Sequence, residues 1–262
     1  MRSTMWIKIC GVTRLQDALT VMNSGADAIG FNFFERSKRY IAPDDVHQFV
    51  REMQKQSPES ATSAESVPRS EAPVTRLTRQ NGNLPQIVGV FVNSSAASVA
   101  ATVQRAGLTC VQFHGDESPE LIAEFHQLMP QISVIRAYRV NSSNIADTLR
   151  CVKELASRVS LDACLLDALV DGQYGGTGHQ LEEAVVRSYL PDDALPPLIL
   201  AGGLTPANIA NPLKTLQPWG VDTASGVESA PGIKDSDLVQ AFVRSARTAS
   251  TGRRESSSVR RE

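Results

Sequence analysis

The sequence is short of cysteine, of surplus charge and of long apolar runs, and each shortage removes a class of function. Its four cysteines, Cys10, Cys110, Cys151 and Cys164, stand far apart, with no C-x-x-C pair and no histidines beside them at metal-ligand spacing. A structural zinc site is therefore not expected, nor is any other metal. A formal net charge of -2 gives no basic surplus, so neither nucleic acid nor an anionic membrane is an expected partner. No run approaches the roughly 20 apolar residues of a membrane helix, and the N-terminus lacks the charged-then-apolar order of a signal peptide. What is left is the expectation of a cytoplasmic protein with reduced thiols that acts on a small molecule.

What the sequence does have is regular alternation. Apolar runs at 6–11, 26–34, 86–92, 109–114, 132–138, 161–167, 197–203 and 220–226 read as strands. Amphipathic stretches follow them: 13–22, 44–55, 96–106, one opened by Ser118-Pro119, 144–158, one after a glycine-rich loop at 174–178, one opened by Thr205-Pro206, and 236–248. Thr13 is a candidate N-cap for the first helix and Gly25 its stop. The strands are apolar enough to be covered on both faces and the connections are too long for hairpins, which points to a parallel sheet. Eight such units predict an α/β protein of the (β/α)8 TIM barrel type. A doubly wound sheet alternates in the same way, but no G-x-G-x-x-G follows the first strand.

Two segments fall outside this pattern. Residues 54–85 are rich in Ser, Glu, Pro, Thr, Arg and Asn, and Val67, Val74 and Leu77 are too sparse to build a core, so a disordered insertion after the second helix is expected. Residues 249–262, with Arg253, Arg254, Arg260 and Arg261, read as a disordered tail. Residues 1–248 then form a single barrel domain.

In such a barrel the active site lies where the strands end, so the polar residues that close each apolar run are the informative ones. They are Cys10, Asn32, His114, Arg136, Asp167, Gly202-Gly203, Asp222 and Ser225-Gly226. The two glycine pairs follow strands seven and eight, where backbone N–H groups commonly cradle a phosphate; each alone also reads as a turn. Gly175-Gly176-Thr177-Gly178 is a loop that could add a wall or a lid. Cys10 and Asp167 end strands on opposite sides of the mouth, and a thiolate can take a proton where a carboxylic acid gives one. A buried cysteine is equally a packing residue, and an aspartate in that place equally a helix cap. A free cysteine titrates near about 8.5, so Cys10 needs a cation such as Lys8 or Arg39, or a helix N-terminus, to ionise at neutral pH. Lys8, two residues earlier on a strand, shares its face and is the first candidate. His114 is a polar wall or a core histidine, Asp222 a substrate anchor or a partner to a neighbouring strand. Arg39 lies in a basic loop suited to a carboxylate-bearing substrate or simply to solvent.

Taken in order, these stretches resemble phosphoribosylanthranilate isomerase of tryptophan biosynthesis. The residues that carry the likeness are Lys8-Ile9-Cys10-Gly11, Ser37-Lys38-Arg39-Tyr40, Val111-Gln112-Phe113-His114-Gly115-Asp116-Glu117, and Leu165-Leu166-Asp167 with Gly175-Gly176-Thr177-Gly178. Ala201-Gly202-Gly203-Leu204, Val221-Asp222 with Ser225-Gly226-Val227-Glu228, and Gly232-Ile233-Lys234-Asp235 complete it. The resemblance implies a cofactor-free Amadori rearrangement of a small phosphoribosyl substrate. In it Asp167 protonates the furanose oxygen, Cys10 removes the proton from the sugar C2, Arg39 pairs with the anthranilate carboxylate, and Gly202, Gly203, Ser225 and Gly226 hold the phosphate. Phe113, Thr223-Ala224 and the insertion depart from the family pattern without removing an acid or base. An isomerase of the histidine pathway is a rival, but its first strand is expected to end on an aspartate where this chain has Cys10. A barrel that has lost its chemistry is another, yet Cys10 and Asp167 are both present. Monomer and homodimer are both open.

Overall fold

Eight parallel strands pair in sequence order and close on themselves, the last against the first. The computed structural model describes residues 5–56, 77, 84–168, 182–190 and 195–251. The strands are β1 (Trp6–Cys10), β2 (Ala28–Asn32), β3 (Gln86–Phe91), β4 (Cys110–Phe113), β5 (Ser133–Val140), β6 (Ala163–Ala168), β7 (Leu198–Leu200) and β8 (Gly220–Thr223). The helices are α1 (Leu15–Ser24), α2 (Pro43–Gln56), α3 (Ala96–Ala106), α4 (Pro119–Leu128), α5 (Ile145–Arg158), α6 (Glu183–Tyr189), α7 (Ala210–Thr215) and α8 (Ser236–Thr251). This is the expected (β/α)8 barrel. A short antiparallel ribbon of β9 (Glu228–Ala230) and β10 (Ile233–Lys234) sits between β8 and α8.

The buried side chains divide into two clusters, and the division shows which way each strand faces. Trp6, Ala28, Val88, Cys110, Ile135, Ala163, Leu165 and Ile199 meet in the smaller cluster, to which no described helix contributes. Only the barrel interior lets seven strands meet without a helix. Their neighbours one residue away, such as Ile7, Ile29, Val111, Val134, Cys164 and Val221, pack with the helices instead. Because side chains alternate along a strand, the period of two carried towards the strand ends puts Lys8, Cys10, Gln112, His114, Arg139, Asp167 and Asp222 on the interior side. The floor and middle of the barrel are apolar, and its C-terminal end is polar.

Several local expectations are corrected. Arg136 does not end a strand: β5 runs on to Val140. Its guanidinium instead pairs with Glu117 at 2.9 Å and donates to the carbonyls of Phe113 and Gly115, clamping the turn after β4. A strand can carry a buried arginine through an apolar run when every donor is satisfied in this way. Thr13 does not cap α1; its hydroxyl donates to the Gly232 carbonyl at 2.6 Å, and Arg14 holds the cap position. Thr205-Pro206 opens a turn, and α7 begins at Ala210. There Asn208 spends its side chain on the Thr205 N–H and the Gly203 carbonyl, which fixes the loop after β7.

Leu77 is the one described residue of the stretch 57–83. It is fully buried among the interior side chains at the floor of the barrel, and its carbonyl accepts a 2.9 Å hydrogen bond from Trp6 Nε1. Trp6 in turn stacks on Trp219, ring centroids 5.4 Å apart. The rest of the expected insertion from 57 to 83, the glycine-rich loop at 174–178 and the tail beyond Thr251 lie outside the described residues.

Candidate active site

Lys8 and Asp222 face each other across the seam that closes the barrel, paired in register between β1 and β8. Lys8 Nζ donates to Asp222 Oδ1 at 2.9 Å, and the lysine is wholly buried. Burial alone would lower the lysine, but Asp222 and then Cys10 outweigh it, so Lys8 is raised and stays charged. Cys10 ends β1 on the same face, half-buried. Burial pushes its thiol up, Lys8 pulls it down, Asp222 pushes it up again, and Lys234 pulls down more weakly; the balance lies above the ordinary value. Lys8 is thus in contact with Cys10, as expected, but its charge is shared with Asp222 and does not by itself ionise the thiol.

Asp167 comes from the far side of the ring, at the end of β6. Burial and then the negative charge of Asp222 push its carboxyl up to about 6, against the opposing pull of the Ala168 N–H, Lys8 and Arg139. A carboxyl held at that level is poised to give a proton near neutrality. His114 Nε2 stands 3.7 Å from Asp167 Oδ2. The Lys8–Asp222 pair therefore acts on both Cys10 and Asp167, lowering the thiol through its cation and raising the carboxyl through its anion.

Arg39 reaches the mouth from the loop after β2. Asn32 shapes that loop: its Oδ1 accepts from the Phe34 N–H and its Nδ2 donates to Ser37 Oγ. Arg39 Nε and Nη2 donate to the two carboxylate oxygens of Glu228 at 2.8 and 2.7 Å. Lys234, whose side chain is fully buried, donates to the same carboxylate at 2.8 Å and to the Ala224 carbonyl at 3.0 Å. Two cations around one carboxylate leave a net positive rim. It suits an anionic group, with the Arg39 Nη1 not engaged by Glu228.

Behind β7 and β8 the two glycine loops touch. Thr223 Oγ1 donates to the Leu204 carbonyl at 2.7 Å. A Cβ on Gly226 would lie 1.9 Å from that same carbonyl oxygen, so only glycine permits the approach. Ser225–Val227 form a single 3-10 turn. None of the amide N–H groups of Gly202, Gly203, Ser225 and Gly226 is paired with another described residue. A cluster of half-buried, unpaired N–H groups after these strands is what an anion requires.

The structure thus gathers Lys8, Cys10, His114, Asp167 and Asp222 at one end of the barrel, with Arg39 at its rim. Sequence reasoning missed Arg139, which faces the interior at the end of β5 in register with Asp167 and lies 3.7 Å from Asp116. The signal was available, since Ile135 and Ala137 set the inward parity. It also missed Gln112, Glu228 and Lys234 as parts of the site. Among the described residues, no group of three or more His, Cys, Asp or Glu is arranged to hold a metal ion. No described helix is long and apolar enough to cross a membrane.

The sequence and the fold have counterparts among known proteins. A family model for N-(5'-phosphoribosyl)anthranilate isomerase matches residues 52–245. The chain is similar to the N-(5'-phosphoribosyl)anthranilate isomerase of Myxococcus xanthus, 36% identical over 242 residues that cover 92% of this chain and 96% of that protein. It is 37% identical to the one from Thermotoga neapolitana over 244 residues, 92% and 98% of the two chains. Among solved structures, phosphoribosyl anthranilate isomerase from Thermotoga maritima superposes with a TM-score of 0.71 at 30% identity, covering 93% of this chain and 99% of that one. A phosphoribosyl anthranilate isomerase in complex with reduced 1-(o-carboxyphenylamino)-1-deoxyribulose 5-phosphate gives 0.67 at 29% identity, with the same coverage.

Proposed function

Because the chain belongs to the phosphoribosylanthranilate isomerase family and is an isomerase, we propose that it rearranges N-(5-phosphoribosyl)anthranilate to 1-(2-carboxyphenylamino)-1-deoxyribulose 5-phosphate, a step of tryptophan biosynthesis. Asp167 is the general acid and Cys10 the general base. The observation that supports this reading is that both side chains lie at the polar end of the barrel, each within electrostatic reach of the same buried Lys8–Asp222 pair.

The proton on Asp167 goes to the furanose oxygen as the C1–O bond breaks, and the anilino nitrogen lone pair closes a C=N bond. The Cys10 thiolate then takes the C2 proton, and the released electron pair forms the C1=C2 enolamine and neutralises the nitrogen. Tautomerisation to the ketone completes the change, and no outside electron acceptor is needed. Arg39, oriented by Glu228, receives the anthranilate carboxylate through its remaining N–H groups. The loops bearing Gly202, Gly203, Ser225 and Gly226 hold the phosphate at the opposite end. In this reading Asp222 accepts a hydrogen bond from a substrate donor, and His114 faces the carboxyl of the acid.

Complementation of a tryptophan auxotroph that lacks this step tests the activity, and growth is the expected result. Cys10→Ala and Asp167→Asn are each expected to cut kcat by about 100-fold or more while remaining folded. Turnover near the parental rate in either variant would remove that residue from its role.

A further inference from the structure

His114 stands beside Asp167 with its protonation pattern undecided by that contact. Its Nδ1 lies 3.1 Å from the side-chain amide nitrogen of Gln112. Nε2 faces Asp167 Oδ2 at 3.7 Å, beyond bonding distance, and meets no other hydrogen-bond partner among the described residues. Gln112, on β4, is 1% exposed, and His114 follows two residues later, just past the strand with its N–H still bonded to the Phe91 carbonyl, so the strand alternation turns both side chains to the interior. The charged groups around the ring are Lys8 on β1, Arg136 and Arg139 on β5, and Asp167 on β6. Burial first, and then the three cations, press the imidazole down to about 3, so the ring is neutral at any working pH. A neutral imidazole has one N–H, and its place decides whether Asp167 meets a donor or a lone pair.

An amide nitrogen only donates. Set against Nδ1, it makes that atom the acceptor and sends the ring proton to Nε2. Gln112 Oε1 is left without a partner among the described residues. Turning the amide over would instead leave its N–H groups buried without an acceptor, a worse outcome than a bare oxygen. It would also aim the Nε2 lone pair at a carboxylate oxygen.

We propose that Gln112 is a positioning residue for the reaction: it fixes His114 as a neutral Nε2–H donor aimed at Asp167 Oδ2, which leaves the acid's proton on Oδ1. Oδ1 is the oxygen turned towards the loop after β7, 3.1 Å from where a Cβ on Gly202 would lie. The proton leaves from Oδ1 to the ring oxygen of the substrate, and the charge that remains on the carboxylate faces an N–H whose nitrogen is 3.7 Å from Oδ2 and has only that gap to close. The role rests on the reading of Asp167 as general acid, yet the proton position is observable without turnover.

Nitrogen-15 NMR of the full chain labelled at histidine reads the tautomer directly, with His114→Gln identifying the signal. The expected spectrum is a neutral Nε2–H ring, unchanged from pH 8 to pH 5. Gln112→Glu sets an acceptor against Nδ1; it is expected to move the ring to the Nδ1–H or doubly protonated form and to lower kcat about tenfold or more, with KM changed by less than about threefold. Gln112→Met removes the donor and is expected to give mixed tautomers with an intermediate kcat, which keeps the test usable if the glutamate variant fails to fold. A parental ring in the Nδ1–H form overturns the proposal. So does a Gln112→Glu protein that keeps both the Nε2–H signature and the parental kcat. A parental protein with an Nε2–H ring but no isomerase activity would defeat the functional reading and leave the tautomer assignment standing.

Discussion

Lys8 Nζ and Asp222 Oδ1 lie 2.9 Å apart inside the barrel, and their strands are the two that close it. The pair is at once a structural seam and the electrostatic link between Cys10 and Asp167. Removing one partner strands the other charge. Lys8→Met is therefore expected to destabilise the protein by about 3–5 kcal/mol, and Lys8→Met with Asp222→Leu by less, because the double change leaves no unpaired ion. Urea unfolding of the parent, the single variant and the double variant measures both.

The balance of charges around Cys10 leaves its thiol above the ordinary value. In the unliganded protein its alkylation by iodoacetamide is expected to rise through a pH above about 8.5, the value of a free cysteine. Rates measured from pH 6 to pH 10 locate the inflexion, and one near neutrality would contradict this. With Asp167 titrating at about 6, the acid loses its proton at a lower pH than the base loses its own. Activity is then carried by the minor fraction of molecules with Asp167 protonated and Cys10 ionised. The kcat/KM profile is expected to rise near pH 6, stay level, and fall above the ordinary cysteine range.

Asp167 also lowers stability. Its folded pKa, about 6, exceeds the ordinary aspartate value of about 3.9, so between these pH values the folded state holds a proton that the unfolded state has lost. Stability falls as pH rises through that window, and the full cost is present above pH 6. Asp167→Asn is accordingly expected to be inactive but more stable than the parent at pH 7.5, by on the order of 2 kcal/mol, and to lose that advantage below pH 4. Thermal unfolding at the two pH values tests the sign.

Gly226→Ala forces a methyl group onto the Leu204 carbonyl, 1.9 Å from its oxygen. The backbone of one glycine loop must then retreat from the other. The expected result is a loss of about 1–3 kcal/mol of stability together with a higher KM. Inorganic phosphate should inhibit the variant less than the parent, which separates damage to the anion site from general loosening.

The barrel was legible in the sequence because alternating strands and helices leave the same apolar signature wherever they occur, and Cys10, His114, Asp167 and Asp222 were found by reading strand ends. Arg136 shows where that rule fails. A polar residue interrupts the apolar run, but Glu117 and two carbonyls satisfy it, so the strand continues and Arg139 rather than Arg136 faces the interior at its end. The bond between Arg39 and Glu228 joins residues 189 apart. Neither local periodicity nor composition reports such a contact, because it exists only once the barrel has closed.

The burial of Leu77 bears on how the connection between α2 and β3 is governed. Between Gln56 and Leu84, Leu77 is held in the barrel floor, bonded to Trp6 and fully buried. That anchor divides the connection into two spans of unequal length, and the cost of lengthening a span grows only slowly with its size. Length on either side of Leu77 is therefore cheap to vary, whereas the anchor is not: burying a leucine is worth about 1.5–3 kcal/mol. Leu77 is thus the fixed point of this connection.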